Sequence, residues 1–481
     1  YHDTNPNAES YEYIESQAEN VHWMGWRPTR TTFSSQYFDQ LYEFAKELIR
    51  RGKAYVCHQS QEEIKTSREA SMAGTGTPES PFRERSVEEN LREFENMRLG
   101  LYAKGKATLR MKIDMHSPNP CMWDPIAYRI KYHPHPRTGD KWCIYPSYDF
   151  THCLVDSLEH IDYSLCTLEF EIRRDSYYWL LEALDLWRPM VWEFSRLNIT
   201  DTPLSKRKLL KFVQDGIVQG WDDPRMPTIN GLRRRGYPAE ALNDFCRAVG
   251  VTRANNVVML SRLETTVRSN LNETSTRGFA VLNPLKVTLT NFGDDVREVQ
   301  AYDFPMDPSR GSHAIELGKV VYIDREDFRL EDSKSYYGLA PNKVVGLKYG
   351  GFMKCTHVHT DAAGAVAELS AEFMDESPTK VKGHLHWVSS AAGAAPAMAT
   401  VRLYDTLCKQ VGAELELRER SEWTVEALVD RSVAAAAATP GTRLQFERVG
   451  FFVVDVDSTA EHPVFTRTVT LKASSEKRRG V

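Results

Sequence analysis

The stretch "STRGFAVLNPLKVTLT" (275–290) is where the chain changes its texture. Before it, helical periodicity dominates. "SSQYFDQLYEFAKELIRRG" (34–52) puts Tyr37, Leu41, Phe44, Ala45 and Leu48 on one face, with Ser34 or Ser35 as the cap and Gly52 as the stop. "PAEALNDFCRAVG" (238–250) repeats the pattern with Leu242, Phe245 and Val249, opened by Pro238 and ended by Gly250. After it come short apolar or alternating segments separated by Gly, Pro, Asp and Asn: "KVVYID" (319–324), "KVVGLKYG" (343–350), "ATVRLYD" (399–405), "TRLQFERVGFFVVDV" (442–456) and "VFTRTVTLKA" (464–473). Strands and turns at that spacing predict β-barrels or sandwiches. The fold class that follows is α/β in front and β-barrel behind.

Within the front part, "AYVCH" (54–58), "KATLRMKID" (106–114) and "DPIAYRIKYHPH" (124–135) read as strands, and "GDKWCIYPSYDFTHC" (139–153) leads from a turn into another. "RRDSYYWLLEALDLW" (173–187) reads as an apolar-faced helix. Ser60 with Glu63 and Ser86 with Glu89 are expected to form capping boxes. Between them, "SMAGTGTPESP" (71–81) is a turn-rich loop whose GTG fragment is too short for a phosphate-binding motif. The alanine run "SVAAAAATPG" (432–441) reads as a linker or helix tail.

Lysine and arginine total 61 against 66 aspartates and glutamates, a net charge of −5. That excludes a general nucleic-acid-coating protein, yet leaves room for local basic patches that grip a polynucleotide. The 481 residues suffice for about three domains, and 41% hydrophobic with 26% charged residues is an ordinary globular composition. None of the eight cysteines falls in a C-x-x-C spacing, which argues against a zinc knuckle and for a reduced, cytosolic setting. The pairs His133/His135, His357/His359 and His384/His386 would each share a strand face, but lack nearby cysteine or acidic partners for a metal. No apolar run approaches the ~20 residues that span a bilayer. The chain opens at Tyr1 without an initiator methionine, so residues upstream are expected to be absent.

"TPLSKRKLLK" (202–211) concentrates Lys206, Arg207, Lys208 and Lys211 beside Ser205. Such a run is usually a solvated helix face. It also fits a mobile loop that meets polyphosphate, because nucleotidyl transfer concentrates negative charge on departing pyrophosphate, and a lysine arriving then stabilises the transition state.

Read with its neighbours, this segment is one of five blocks: "YPSYDFTHC" (145–153), "SLCTLEF" (164–170), "WEFSRLN" (192–198), "LSKRK" (204–208) and "GWDDPRMPTINGLRRRGYPAEA" (220–241). In this order they closely resemble the glutaminyl-tRNA synthetase family of class I aminoacyl-tRNA synthetases. The opening "YHDTNPNAESYEYIESQAENVHWMGW" (1–26), "VKGHLHWVSSA" (381–391) and "HPVFTRTV" (462–469) extend the resemblance over nearly the whole chain. It implies a split Rossmann-type catalytic domain with an inserted acceptor-binding domain, a helical subdomain and a C-terminal anticodon-binding region of two β-barrels. The boundaries implied are a remnant of the first catalytic half (1–37), the acceptor-stem-binding insertion (38–147), the second catalytic half (148–200), the KMSKS-type loop with the helical subdomain (201–275) and the barrels (276–475). The implied activity is ATP-dependent ligation of glutamine to its tRNA through glutaminyl-adenylate, with acyl transfer to the 2′-hydroxyl of the terminal adenosine and Mg2+ on the phosphates. Implied partners are glutamine, tRNA and other synthetases, in the cytoplasm, without membrane or DNA. A glutamyl-tRNA synthetase and a non-catalytic tRNA-binding paralogue are the alternatives.

Position by position, the resemblance makes Lys206 and Ser205 catalytic contacts to ATP phosphates with Leu204 beside them, and Thr167, Arg196 and Leu197 further ATP contacts. Tyr148, His152, Ser164 and Cys166 would form the glutamine pocket, with His2 and Asp3 at the substrate's amino group. Thr252, Arg253, Asn255, Asn256 and an exposed Arg277 would face tRNA, and no metal site is implied. The "GLRRRG" triple (231–236) would touch phosphate or pack a helix end. Glutamyl enzymes generally carry arginine at position 166, which suits a γ-carboxylate and leaves a neutral amide poorly matched, so Cys166 favours glutamine. The chain departs from the family pattern in three places. No HIGH-type motif precedes "HDTNP" (2–6), His2 replaces an acid expected to pair with the α-ammonium, and Tyr337-Gly338 stands where some members place Lys-Arg near the anticodon. Stacking of Tyr336 or Tyr337 on an unpaired base would replace that charge.

Overall fold

The computed structural model describes residues 1–7, 11–74, 79–377, 380–390, 396–412 and 414–472. Most of the GTG fragment and residues 473–475 lie outside the described residues. The chain forms two compact units: Tyr1–Arg196 with Val251–Asn256, and Leu197–Gly250 with the chain from Val257 onward.

In the first unit, the helix Phe38–Arg50 buries Leu41, Ala45, Leu48 and Ile49. They join one core with a four-stranded antiparallel sheet whose strands Ala54–Cys57, Thr108–Met111, Ile126–Ile130 and Ile144–Pro146 pair in chain order. Then the topology changes. The strand Tyr163–Thr167, the helix Arg174–Ala183 and the strand Met190–Phe194 form a βαβ unit, with Tyr163 paired to Met190 and Cys166 to Glu193 in a parallel register. Alternation puts Ser164, Val191 and Glu193 inward and leaves Tyr163, Leu165, Met190 and Trp192 exposed.

The second unit carries the helices Lys206–Gln214, Ala239–Val249 and Leu260–Thr274, followed by two seven-stranded barrel-like sheets. In one, the edge strands are Thr276–Gly278 and Ala280–Val281, so a single residue, Phe279, joins the two edges. In the other they are His384–Leu385 and Val388–Ser390, joined by His386 and Trp387. Both closures are buried, and the Phe279 and Trp387 rings lie 5.9 Å apart. Gly278 is required beside this seam: a Cβ there would meet Val433 Cγ2 at 2.4 Å. The alanine run holds the short helix Arg431–Ala436, which buries Val433 and is capped by Asp430.

Several local expectations need correction. Ser34 and Ser35 do not cap the first long helix; they are buried in a 3-10 turn, Ser34–Tyr37, ahead of it. The capping box at Ser60 is complete, whereas at Ser86 only the serine half forms. The strand at 144 stops at Pro146, and a helix, Tyr148–Leu158, starts two residues later. The histidine pairs do not all share strand faces. His133 and His135 lie outside any strand, and His384 is exposed where His386 is buried; only His357 and His359 lie within one strand, Gly351–Thr360, their rings 4.6 Å apart. No group of three or more metal-ligating residues occurs among the described residues.

Because the Phe279 ring is buried in the core of one sheet while its backbone joins the two edges of the other, Phe279→Ala should lower unfolding stability by about 3–5 kcal/mol. Chemical denaturation checks the loss, and hydrogen exchange should quicken in both seven-stranded sheets.

Candidate active site

Ser147 starts the site. Its hydroxyl accepts from the Phe150 amide (3.2 Å) and donates to the Ile126 carbonyl (2.6 Å), capping the helix Tyr148–Leu158 and fastening it to the antiparallel sheet. The helical repeat then stacks Tyr148, His152 and Asp156 along one face. The Tyr148 and His152 rings lie 5.2 Å apart and nearly parallel, and His152 Nε2 is 3.1 Å from Asp156 Oδ2. The Ser164 hydroxyl donates to the same oxygen (2.7 Å), as does the Tyr177 hydroxyl (2.9 Å). Burial pushes the Asp156 carboxyl up, but these donors outweigh it and hold the group below the usual carboxylate range.

Above this layer is a cleft of about 370 Å³ lined by Tyr148, His152, Cys166, Phe170, Tyr177 and Val191, with charged residues around them. Burial raises the pKa of both the Tyr148 hydroxyl and the Cys166 thiol, so both groups are neutral near pH 7. The charged lining residues come in pairs. Arg173 binds Asp149 and lies 5.2 Å from the Phe170 ring, while Arg174 binds Glu193, which is fully buried. A neutral substrate group thus meets the Tyr148 hydroxyl and the Cys166 thiol, while the guanidiniums are already matched.

His2 closes one side, its ring 5.3 Å from Tyr148 and 5.1 Å from His152. Burial against these rings and the charge of His152 lower its pKa to about 4, although part of the residue is exposed. His2 is therefore neutral at pH 7 and does not repel an ammonium. Asp3 lies deeper, 1% exposed, with its carboxylate accepting from the Ser35 amide (2.9 Å) and hydroxyl (2.6 Å). It anchors the opening segment, and His135 Nε2 holds its carbonyl at 2.6 Å.

Sequence reasoning missed Glu169, which pairs with Arg196 and whose carboxyl is held below the usual range by Thr167 and its own backbone. Glu193 was also missed, although its place opposite Cys166 in the parallel register is the signal that marks it. Leu197, Leu204, Ser205 and Lys206 belong to the second unit. There, Lys206, Arg207 and Lys208 form the exposed first turn of the helix Lys206–Gln214 rather than a loop, and the Ser205 side chain makes no capping bond.

Among the residues expected to face RNA, Asn255 and Asn256 are exposed. Thr252 accepts from the Ser195 amide through its carbonyl (2.7 Å), and Arg253 binds Glu171 and Glu193. The expected exposure of Arg277 is wrong. It is 6% exposed and donates to the carbonyls of Ser275 (2.7 Å) and Asn272 (2.8 Å), because strand pairing at the seam carries it inward. Arg234 and Arg235 pack a helix end, binding Asp222, Asp455 and Asp457 in one case and two carbonyls in the other. The Tyr336 ring lies 4.3 Å from the Arg329 guanidinium, whereas Tyr337 is exposed.

The depressed pKa of Asp156 has a stability consequence. Its stabilisation is present above the unfolded carboxylate pKa of about 4 and is lost as pH falls through the lower folded value. Asp156→Asn should cost about 1–3 kcal/mol at pH 7. That deficit should shrink below about pH 4, as denaturation midpoints measured across pH will show.

Three sequence comparisons bear on this arrangement. The model for tRNA synthetases class I (E and Q), catalytic domain, matches residues 1–273, and two anticodon-binding domain models of the same class match 275–374 and 384–455. The chain is 51% identical to a probable glutamine–tRNA ligase of Dictyostelium discoideum over 99% of its own length and 61% of that protein. It is 45% identical to a glutamine–tRNA ligase of Bos taurus over the same shares, and 44% identical to that of Cupriavidus taiwanensis over 98% of this chain and 86% of that one. A solved glutamate–tRNA synthetase of Elizabethkingia anophelis aligns at 18% identity and a TM-score of 0.41, covering 57% of this chain and 63% of that one. The chain thus spans about three-fifths of the length of the first relatives it matches. On the match of the catalytic and both anticodon-binding models, the chain belongs to the class I tRNA synthetases of the glutamate and glutamine group.

Proposed function

We propose that the chain carries the working part of a glutamine–tRNA ligase, which activates glutamine with ATP and transfers it to the 2′-hydroxyl of the tRNA terminal adenosine. The observation that carries this reading is the charge balance of the cleft. Arg173 and Arg174 are matched by Asp149 and Glu193, and Cys166 with Tyr148 offers a neutral thiol and hydroxyl where a carboxylate-reading site needs a free cation. A γ-amide finds donors and acceptors there; a γ-carboxylate would lose hydration without an opposite charge. The names of the relatives agree, all three curated ones being glutamine–tRNA ligases.

In this reading Tyr148, His152, Ser164 and Cys166 orient the glutamine side chain, with Asp156 fixing His152 and Tyr177 from behind. Neutral His2 admits the α-ammonium. Thr167, Arg196, Leu197 and Leu204 would seat ATP, whose phosphate charge Mg2+ would offset when bound. Attack by the glutamine carboxylate on the α-phosphorus expels pyrophosphate. Lys206 and Ser205 stabilise that leaving charge, and three cations at the start of a helix, where the backbone dipole also presents positive charge, suit a polyanion. Positioning and charge stabilisation supply the catalysis. The five-part division at 37, 147, 200 and 275 assigns the antiparallel sheet to the acceptor stem and the two barrel-like sheets to the anticodon. Thr252, Arg253, Asn255 and Asn256 would lie along the tRNA, whereas the buried Arg277 would brace the seam from beneath. The cytoplasm is the fitting compartment, and all eight cysteines are unpaired thiols.

The deciding experiment is charging of total tRNA by the full-length protein, with labelled glutamine and labelled glutamate in parallel. Glutaminylation without glutamylation is expected; glutamylation would favour the sister activity, and tRNA binding without charging the paralogue. Lys206→Ala should slow glutamine-dependent pyrophosphate exchange about 10²–10³-fold while leaving the KM for glutamine nearly unchanged. Cys166→Arg should cut kcat/KM for glutamine by about 100-fold relative to glutamate, and unchanged selectivity would remove Cys166 from the specificity argument.

A further inference from the structure

Glu193 stands in an unusual place for a carboxylate. Its side chain is 1% exposed, yet it lines the same cleft as Cys166. The parallel register sets Glu193 across from Cys166 and Val191 across from Ser164, and both rows point inward. Paired strands lie only about 4.8 Å apart, so a substrate group resting against the Cys166 thiol comes close to the Glu193 carboxylate.

That carboxylate is charged and firmly held. Arg174 grips it with two nitrogens, Nε on Oε1 at 3.1 Å and Nη2 on Oε2, and Arg253 Nη1 donates to Oε2 at 3.1 Å. Burial pushes the carboxyl up, but the two arginines outweigh it and keep the group below the usual range. Arg253 in turn binds Glu171, so Arg174, Glu193, Arg253 and Glu171 alternate in sign along one chain, all within the first unit. The two-pronged grip occupies the edge of Arg174 that a substrate carboxylate would need. What reaches the thiol from the surrounding charges is negative. After burial, the charges that raise the Cys166 pKa are those of Asp156 and Glu193, and no guanidinium among the described residues offsets them there.

We propose that Glu193 is a specificity-determining residue, which turns away a substrate γ-carboxylate by repulsion and by keeping Arg174 occupied. This rests on the reading of the cleft as a glutamine site and goes beyond it. The neutral Cys166 explains why a carboxylate finds no attraction; Glu193 explains why it meets opposition. An amide escapes the penalty, because it carries no charge and can turn its N–H donors toward the acid.

The test is charging of tRNA by the full-length protein with labelled glutamine or labelled glutamate, in two variants that change the charge in opposite senses. Glu193→Gln removes the acid and frees Arg174, so kcat/KM for glutamate should rise about tenfold relative to glutamine. Arg174→Gln leaves Glu193 with one arginine fewer, so the same ratio should fall about threefold. A merely structural ion pair would lower both substrates in parallel in both variants, and that result would overturn the proposal. A second readout does not depend on charging: alkylation of Cys166 by iodoacetamide, followed by peptide mass across pH. Glu193→Gln should speed it about threefold near pH 8 by releasing the thiolate, and Arg174→Gln should slow it. Circular dichroism confirms folding of each variant, and if Glu193→Gln fails to fold, Arg174→Gln decides. Glutaminylation by the wild type with an unchanged Cys166 titration would overturn the role of Glu193 alone. Glutamylation by the wild type would bring down the glutamine reading and this role together.

Discussion

Closing a β-sheet on itself removes the edges that would otherwise offer unpaired backbone groups, and here each closure falls on a buried aromatic residue. Phe279 sits between two strands that are the opposite edges of one sheet; Trp387, with His386, does the same in the other, and the two rings are neighbours. The seam is braced by backbone as well as by rings. Asp430 accepts the Phe279 amide and the Val433 amide, so one carboxylate fixes the closure and starts the helix Arg431–Ala436. Val433 then fills the space that Gly278 leaves open. A methyl group added at Gly278 would press on Val433 in one core, while the ring of the next residue, Phe279, belongs to the other.

The first unit depends on a different constraint. Its inner carboxylates are each surrounded by donors. Asp156 takes a hydroxyl from each of Ser164 and Tyr177 with His152 beside it, and Glu193 takes two arginines, Arg174 and Arg253. Removing one partner of such a pair leaves a buried charge uncompensated, a larger loss than the pair's net worth. In the proposed reading, the same arrangement decides what the cleft would select. With its guanidiniums matched from within, the cleft presents dipoles, and specificity between an amide and a carboxylate becomes a question of which group can leave water without an opposite charge waiting.

The barrels were legible in the sequence because alternation and turn residues are local signals, and they survive burial on one face. The closure was not, since nothing in "STRGFAV" announces that Thr276–Gly278 and Ala280–Val281 pair with strands more than a hundred residues away. The helix at 148 was misread because Tyr145, Pro146 and Tyr148 favour extended chain; the cap at Ser147 was the overlooked cue. Tyr148, His152 and Cys166 could be named from the resemblance alone, whereas Asp156 could not, its importance arising from Tyr177, 21 residues away, and from Ser164 across the fold. Arg277 shows the limit most plainly, for its charge is visible in sequence and its burial is not.

That limit bears on how the basic residues divide. Arg253, Arg234 and Arg277, each a candidate for RNA or phosphate by residue type, have their guanidiniums engaged by carboxylates or carbonyls of their own unit. Lys206, Arg207 and Lys208 are exposed at the positive end of a helix whose first turn holds no acid. Folding alone disfavours that placement, because like charge at a helix start opposes the backbone dipole. A cation that serves the fold is expected at the other end of the helix, as Lys211 is, 3.0 Å from Asp215. In the proposed reading, the polyanion that arrives at this segment offsets that cost.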